Sequence, residues 1–186
     1  QHEIVGRGHT ERLIPQIDAL LAAHARPAIH AILVDCGPGS FTGVRVGLAA
    51  ARALGIGWGI PVSGFSSRAL IAAAAMADME QGEQAAVAIG GGHGEMFVQR
   101  FAAHPLRALG PLASLPPAEA AAFCVEANIW GSASAALVAA RGWGEVHDAL
   151  PRAADVHLLP DALASLPPRP IYGRAPDARP PGAGQP

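Results

Sequence analysis

The stretch VDCGPGSFTGVRVG, Val34 to Gly47, joins a strand-like run to a helix-like run through a turn threaded with four glycines, Gly37, Gly39, Gly43 and Gly47. Strand, loop and helix in that order lead to an α/β architecture, because a crossover helix carries the chain back to a parallel neighbour. The flanks continue the pattern. Ala31–Cys36 is a short apolar strand whose two apolar faces suit an inner position in a sheet. Gly43–Ile56 has helical composition despite Gly47, with Gly43, Gly47, Ala50 and Ala51 forming a small-residue ridge that admits close approach by another element. Pro61–Gly64 follows as a second short strand, and Ser66–Ala77 as a helix capped by Ser66 or Ser67. Upstream, Thr10–His24 places Leu13, Ile17, Leu20, Leu21 and His24 on one helical face, with Pro15 near its start and Pro27 past its end.

The polar stretch Asp78–Gln84 is the expected boundary between two lobes, residues 1–80 and 81–186. Beyond it, Ala85–Ile89 and Glu95–Ala102 read as two strands turned back on each other by the glycine-rich Gly90–Gly94. Pro116–Phe123, Ala133–Arg141 and Asp161–Leu166 read as shorter helices, and the proline- and glycine-rich tail from Ala175 is expected to fray.

Composition removes several functions. The 186 residues are 51% hydrophobic and 15% charged, the profile of an ordered globular chain. A net charge of −2 offers no broad basic field for gripping nucleic acid unaided, and 5% aromatic residues are few for stacking bases. All 13 basic residues are arginine, so a Walker-type phosphate lysine and Schiff-base chemistry are both excluded within this chain. Cys36 and Cys124, far apart, fit small buried thiols in a reducing cytosol, and the longest apolar run, Ala69–Ala77, is too short to span a membrane. Nothing at the start reads as a signal peptide, and the expected location is cytoplasmic.

Chemistry-bearing motifs are sparse. There is no G-x-S-x-G elbow and no H-E-x-x-H pair, and His9, His24 and His30 read as solvated or helix-end residues. Asp35 can hold Mg²⁺ through water beside a phosphate, or accept backbone N–H bonds from the turn; the second reading is preferred. Glu95 and Arg100 read as a solvated strand face. The glycine loop has two readings. The N–H groups of Gly39, Ser40 and Phe41 could cradle an anion, with Gly37, Gly39 and Ser40 as the phosphate-binding residues. Alternatively Gly37-Pro38-Gly39 makes a tight turn, and Gly43 and Gly47 permit helix packing. Spacing alone favours the turn.

The run GPGSFTGVRVGLA resembles the signature of the TsaB (YeaZ) family, bacterial proteins involved in making threonylcarbamoyladenosine on tRNA. GRGHTERLIPQIDALL, GIPVSGFSSRAL, HGEMFVQRF and IYGRAPDARP extend the resemblance along nearly the whole chain. It implies an actin-like ATPase fold of two RNase-H-like lobes. It implies a heterodimer with TsaD, the paralogue that transfers the threonylcarbamoyl group to an adenosine beside the anticodon, and the company of a TsaE ATPase. TsaB-like proteins are scaffolds in that set, reaching tRNA only through the complex. The resemblance requires no cofactor, leaves weak ATP or ADP binding open, and implies no metal.

TsaD-like proteins carry an H-x-x-x-H metal pair after the strand that resembles Pro61–Gly64, and those positions fall here at Ser67 and Ile71, neither a serviceable pair of ligands. Relatives also begin with a strand–turn–strand segment marked by an AIDTS-like run. Nothing like it precedes Gln1, so the first lobe is expected to be incomplete. Gly90 stands where relatives carry an aspartate. The expected function is a non-catalytic partner of TsaD, the alternative being an ATP-dependent transferase or glycoprotease-type peptidase of the same superfamily. The expected partner surface is Leu13, Ile17 and Leu20 with Gly43, Val46, Gly47 and Ala50, a surface that also suits a homodimer when TsaD is absent.

Overall fold

A computed structural model describes Glu3 and residues 8–173; the tail expected to fray from Ala175, and the side chain of His9, lie outside the described residues. The apolar stripe of the first segment folds as α1, His9–Ala23, continuous through Pro15. Strand β1, Ile32–Asp35, leads into α2, Phe41–Trp58, then β2, Val62–Phe65, and α3, Ser67–Ala75. β1 and β2 pair in parallel, Ile32 with Val62 through Asp35 with Phe65. The crossover between them is α2, as the strand–loop–helix order requires.

The inner position expected for β1 is not found. Among the described residues β1 pairs with β2 alone, and Leu33 is 41% exposed. Apolar residues on both faces of a strand describe the strand's own side chains; they do not supply a second neighbour for its backbone.

The second sheet has six strands in the order β5-β4-β3-β7-β8, with β6 also on β4. Strands β3, Gln84–Gly92, and β4, Glu95–Ala102, form the expected antiparallel hairpin, with a register shift between Gly90 and Gly92. Two short strands, β5 (Arg107–Ala108) and β6 (Ala113–Leu115), follow β4 and pair with it. Helix α4, Pro117–Phe123, precedes β7, Asn128–Trp130, which runs parallel to β3. Helix α5, Ser134–Arg141, precedes β8, Glu145–His147, parallel to β7. A 3-10 segment, Ala153–Leu158, and one short helical turn, α6 (Asp161–Ala164), complete the described chain. The helix expected to reach Leu166 stops at Ala164 because Leu166 leaves to bridge Gly64 on β2.

Period-two alternation along the hairpin sorts the core onto two faces. Val87, Ile89, Phe97 and Phe101 meet α3 and Phe65 on one side. Ala86, Ala88, Met96 and Val98 meet Cys124, Ile129 and Leu137 on the other. The same alternation carries two polar side chains of β4 inward. Gln99 meets Arg68 of α3, and Arg100 meets Glu126 on the opposite face. Arg100 is therefore not on a solvated strand face: its Nε lies 2.6 Å from Oε1 of Glu126, whose side chain is 2% exposed. Sequence spacing could not reveal this, because Glu126 arrives from a loop 26 residues away.

Two glycines mark where elements touch. A Cβ on Gly55 would collide with Val62 Cγ2, so α2 lies directly on β2 there. A Cβ on Gly64 would collide with Cys36 Sγ and come within 3.2 Å of the carbonyl oxygens of Leu166 and Pro167. A Cβ on Gly47, by contrast, meets nothing within 4 Å. Among the described residues the close approach made by α2 thus occurs at Gly55, not at the Gly43–Gly47 ridge. No described helix is long and apolar enough to cross a membrane.

These contacts set two expectations. Gly64→Ala destabilises by about 1–3 kcal/mol through overpacking, whereas Gly47→Ala is neutral or stabilising by up to about 1 kcal/mol through better helix propensity. Urea unfolding of both variants checks the pair. Arg100→Met costs on the order of 3 kcal/mol by leaving a buried carboxylate unpaired, and Arg100→Met/Glu126→Gln recovers a large part of that loss in the same assay.

Candidate functional site

The loop between β1 and α2 is organised by Asp35, the last residue of β1. Its Oδ1 accepts the Gly37 N–H at 2.8 Å, and its Oδ2 accepts the Ser67 hydroxyl at 2.6 Å. The Ser67 N–H donates in turn to the Gly37 carbonyl at 3.2 Å. One carboxylate therefore ties the end of β1 to the glycine turn and to the start of α3, the turn-closing role preferred for Asp35. Burial pushes the Asp35 carboxyl above its ordinary value of 3.8, against the lowering effect of its bonds to Ser67 and Gly37 and of the Arg68 charge.

Arg68 stands behind this clasp with 2% of its surface exposed. Its Nε donates to Gln99 Oε1 at 3.1 Å, and Gln99 Nε2 donates to the Gly110 carbonyl at 3.0 Å. Its Nη1 is buried without a hydrogen-bond partner. Burial pulls the guanidinium down to about 10, an effect partly offset by Asp35. Nothing in the sequence marks this group, because an arginine in an alanine-rich helix looks solvent-facing until the opposite strand is known.

The two positions compared with a metal pair have other occupations. Ser67 Oγ is bound to Asp35, and Ile71 is 2% exposed within the larger apolar core. Gly37 and Pro38 are buried while Gly39 and Ser40 are exposed, and Ser40 Oγ caps α2 by accepting the Gly43 N–H at 3.3 Å. Ser66, one of the two expected caps of α3, fills that role by accepting the Ala69 N–H at 3.1 Å. Glu95 accepts the Ser114 hydroxyl at 2.6 Å, and the Gly90 N–H donates to Ser132 Oγ at 3.4 Å. Burial raises the Cys36 thiol, and it lifts Cys124 to about 11 with Glu126 adding to the effect, so both thiols act as packing groups. His24 and His30 are exposed.

The two helices that carry the expected partner surface, α1 and α2, pack against each other. Leu13 and Ile17 of α1 are half-buried and Leu20 is 40% exposed; Gly43, Val46, Gly47 and Ala50 of α2 are half-buried. Among the described side chains of α1, none is fully buried.

The chain is similar to known proteins in both sequence and fold. The family model described as TsaD: tRNA N6-adenosine threonylcarbamoyltransferase matches residues 2–109. The tRNA threonylcarbamoyladenosine biosynthesis protein TsaB of Haemophilus influenzae is 34% identical over 108 residues, 57% of this chain and 45% of that protein. The TsaB of Escherichia coli is 37% identical over 67 residues, 35% of this chain and 29% of that protein. The matches thus span less than half the length of these curated relatives. In three dimensions, the crystal structure of an uncharacterized protein with similarity to peptidase YEAZ from Pseudomonas aeruginosa superposes with a TM-score of 0.75 at 26% identity, covering 94% of this chain and 88% of that one.

The Asp35 clasp has a definite pH signature. Between 3.8 and the raised native value, the folded chain holds a proton that the unfolded chain has released, so stability falls as pH rises through that window. Asp35→Asn removes this titration. Urea midpoints taken across mildly acidic pH are expected to decline more steeply with rising pH for the wild type than for Asp35→Asn; an equal or opposite slope contradicts the assignment.

Proposed function

The chain belongs to the family of the TsaD model, in its TsaB (YeaZ) branch with the actin-like fold, and from that premise we propose that it is the non-catalytic scaffold of a tRNA threonylcarbamoyladenosine-forming complex. Its partner is a TsaD-type paralogue, which performs the transfer to tRNA, with a TsaE-type ATPase in the same assembly. The chain works in the cytoplasm, requires no cofactor or metal of its own, and binds ATP or ADP weakly if at all.

The observation that carries this reading is the uncrowded Gly47 on α2. Gly47 lies in the interior of an 18-residue helix, where glycine costs about 1 kcal/mol relative to alanine. A Cβ there would meet nothing within 4 Å. A glycine that relieves no crowding within its own chain is explained by a second chain packing closely on it. The neighbouring α1, which packs against α2, adds the half-buried Leu13 and Ile17 and the exposed Leu20 as an apolar stripe. In the absence of the paralogue, the same surface supports a homodimer.

The polar groups beside the glycine turn favour this reading over the enzyme alternative. Asp35 and Ser67 are bonded to each other, and Ile71 sits in the core. Gly37, Gly39 and Ser40 keep a turn related to a phosphate loop, with the Ser40 hydroxyl engaged as a helix cap.

Val46→Arg and Ala50→Arg are each expected to abolish capture of a TsaD-type paralogue, costing on the order of several kcal/mol at a packed interface core. Both variants retain a cooperative thermal transition. Co-purification with the tagged paralogue, compared at matched expression, is the measurement; capture at wild-type levels by both variants overturns the interface.

A further inference from the structure

Charge is unevenly distributed along this chain. Between Cys36 and Ala77 the sequence has three arginines, Arg45, Arg52 and Arg68, and not one carboxylate. The C-terminal segment Ala162–Gly173 has Arg169 and again no carboxylate. The fold lays these two acid-free segments against each other. Leu166 exchanges hydrogen bonds of 2.7 and 2.9 Å with Gly64, and the Ile171 N–H donates to the Cys36 carbonyl at 2.8 Å. The segment then reaches α2, where the Arg52 guanidinium donates to the Pro168 carbonyl and Arg45 Nη2 donates to the Tyr172 hydroxyl at 3.1 Å.

Phe41, Arg45 and Arg52 stand at spacings of four and seven along α2, which puts them in one row. The Gly43–Val46–Gly47–Ala50 ridge lies on the other side of the helix by the same geometry. The Arg45 guanidinium sits 3.6 Å from the centroid of the Phe41 ring, whose centroid is 6.0 Å from that of Tyr172. Both rings nevertheless remain more than half exposed, Phe41 at 58% and Tyr172 at 53%. Arg45, Arg52 and Arg169 are exposed as well. This cluster adjoins the loop at the carboxyl end of the parallel β1–β2 pair, where open α/β sheets present their binding crevices.

We propose that this face of α2 and the 162–173 segment contacts single-stranded RNA, stacking unpaired bases on Phe41 and Tyr172 and placing phosphates against Arg45, Arg52 and Arg169. Rings more than half exposed accept any base, and guanidinium groups that no described carboxylate pairs with accept the backbone. Arg45 holds the two rings in place by stacking on one and hydrogen-bonding the other, so ordering them on binding costs little. The proposal rests on the scaffold reading above and adds to it: one helix offers its small-residue ridge to the protein partner and its arginine row to the RNA. A net charge of −2 is compatible with this, because the carboxylates lie on other segments.

The test is photocrosslinking of the full chain, alone and with its TsaD-type partner, to a thiouridine-substituted anticodon stem-loop RNA, with the crosslinked peptides identified by mass spectrometry. Fluorescence anisotropy on the same samples supplies affinities. Crosslinks are expected at the peptides holding Phe41 and Tyr172. Phe41→Leu, which keeps an apolar exposed side chain but loses the ring, is expected to weaken RNA binding by about fivefold or more. Arg45→Gln is expected to lower the slope of log affinity against log salt by about one. If Arg45→Gln alters thermal unfolding, Arg169→Gln replaces it as the charge variant. Crosslinks confined to other regions, or binding by both variant types within twofold of wild type while partner capture is intact, overturn the RNA surface and leave the scaffold standing. A wild-type chain that captures no paralogue yet crosslinks at Phe41 and Tyr172 overturns the scaffold and leaves the RNA surface standing. Displacement of the RNA by millimolar ATP alone identifies a mononucleotide site and also overturns the proposal.

Discussion

A single half-buried carboxylate organises the end of the small sheet. Asp35 binds the Gly37 N–H and the Ser67 hydroxyl, fixing the turn that launches α2 and the cap region that launches α3. Because the two helices depart from the carboxyl ends of adjacent parallel strands, the direction of each is set there. The cost of burying Asp35 is visible in its raised pKa. Its bonds and the nearby Arg68 charge offset that cost, and Arg68 passes the connection through Gln99 to the Gly110 carbonyl of the second sheet region. Asp35, through its charge beside Arg68, and Arg68, through Gln99, thus link the glycine loop to the second sheet.

The hairpin of β3 and β4 is the complementary apolar element. It is covered on both faces, and its strict alternation fixes which side chains reach which layer. A shift of one residue would send Gln99 away from Arg68 and Arg100 away from Glu126, stranding two buried charges at once. Polar pairs on opposite faces therefore fix the register more sharply than apolar contacts between similarly sized residues could.

Glycine serves different purposes in one helix. At Gly55 it admits β2, and at Gly43 and Gly47 the chain itself makes no such demand. The distinction separates a glycine crowded by this chain's own sheet from glycines that it leaves uncrowded. The arginine row adds a third surface to the same helix, its guanidinium groups pinned by the C-terminal segment that crosses from β2 to α2. α2 is thus shared among the sheet on one side, a small-residue ridge on another, and an acid-free aromatic and cationic face on a third.

Elements long enough to show their period were legible in the sequence: α1, α2, α3 and the β3–β4 hairpin all lie within a few residues of their expected bounds, because each carries a complete apolar repeat. Their order was enough to require parallel crossovers, and the eleven residues from Gly37 to Gly47 were distinctive enough to indicate a family. The two- and three-residue strands β5 to β8 were not legible, since so few residues hold no period and pair only because β4, β3 and then β7 present open edges. Nor were the partners of Asp35, Arg68 and Arg100, which come from positions 26 to 32 residues away. Sequence by itself determined which segments would be helix or strand and which glycines would cluster. Tertiary structure alone decided which glycines are crowded and which charges are buried, because both depend on what the fold brings opposite them.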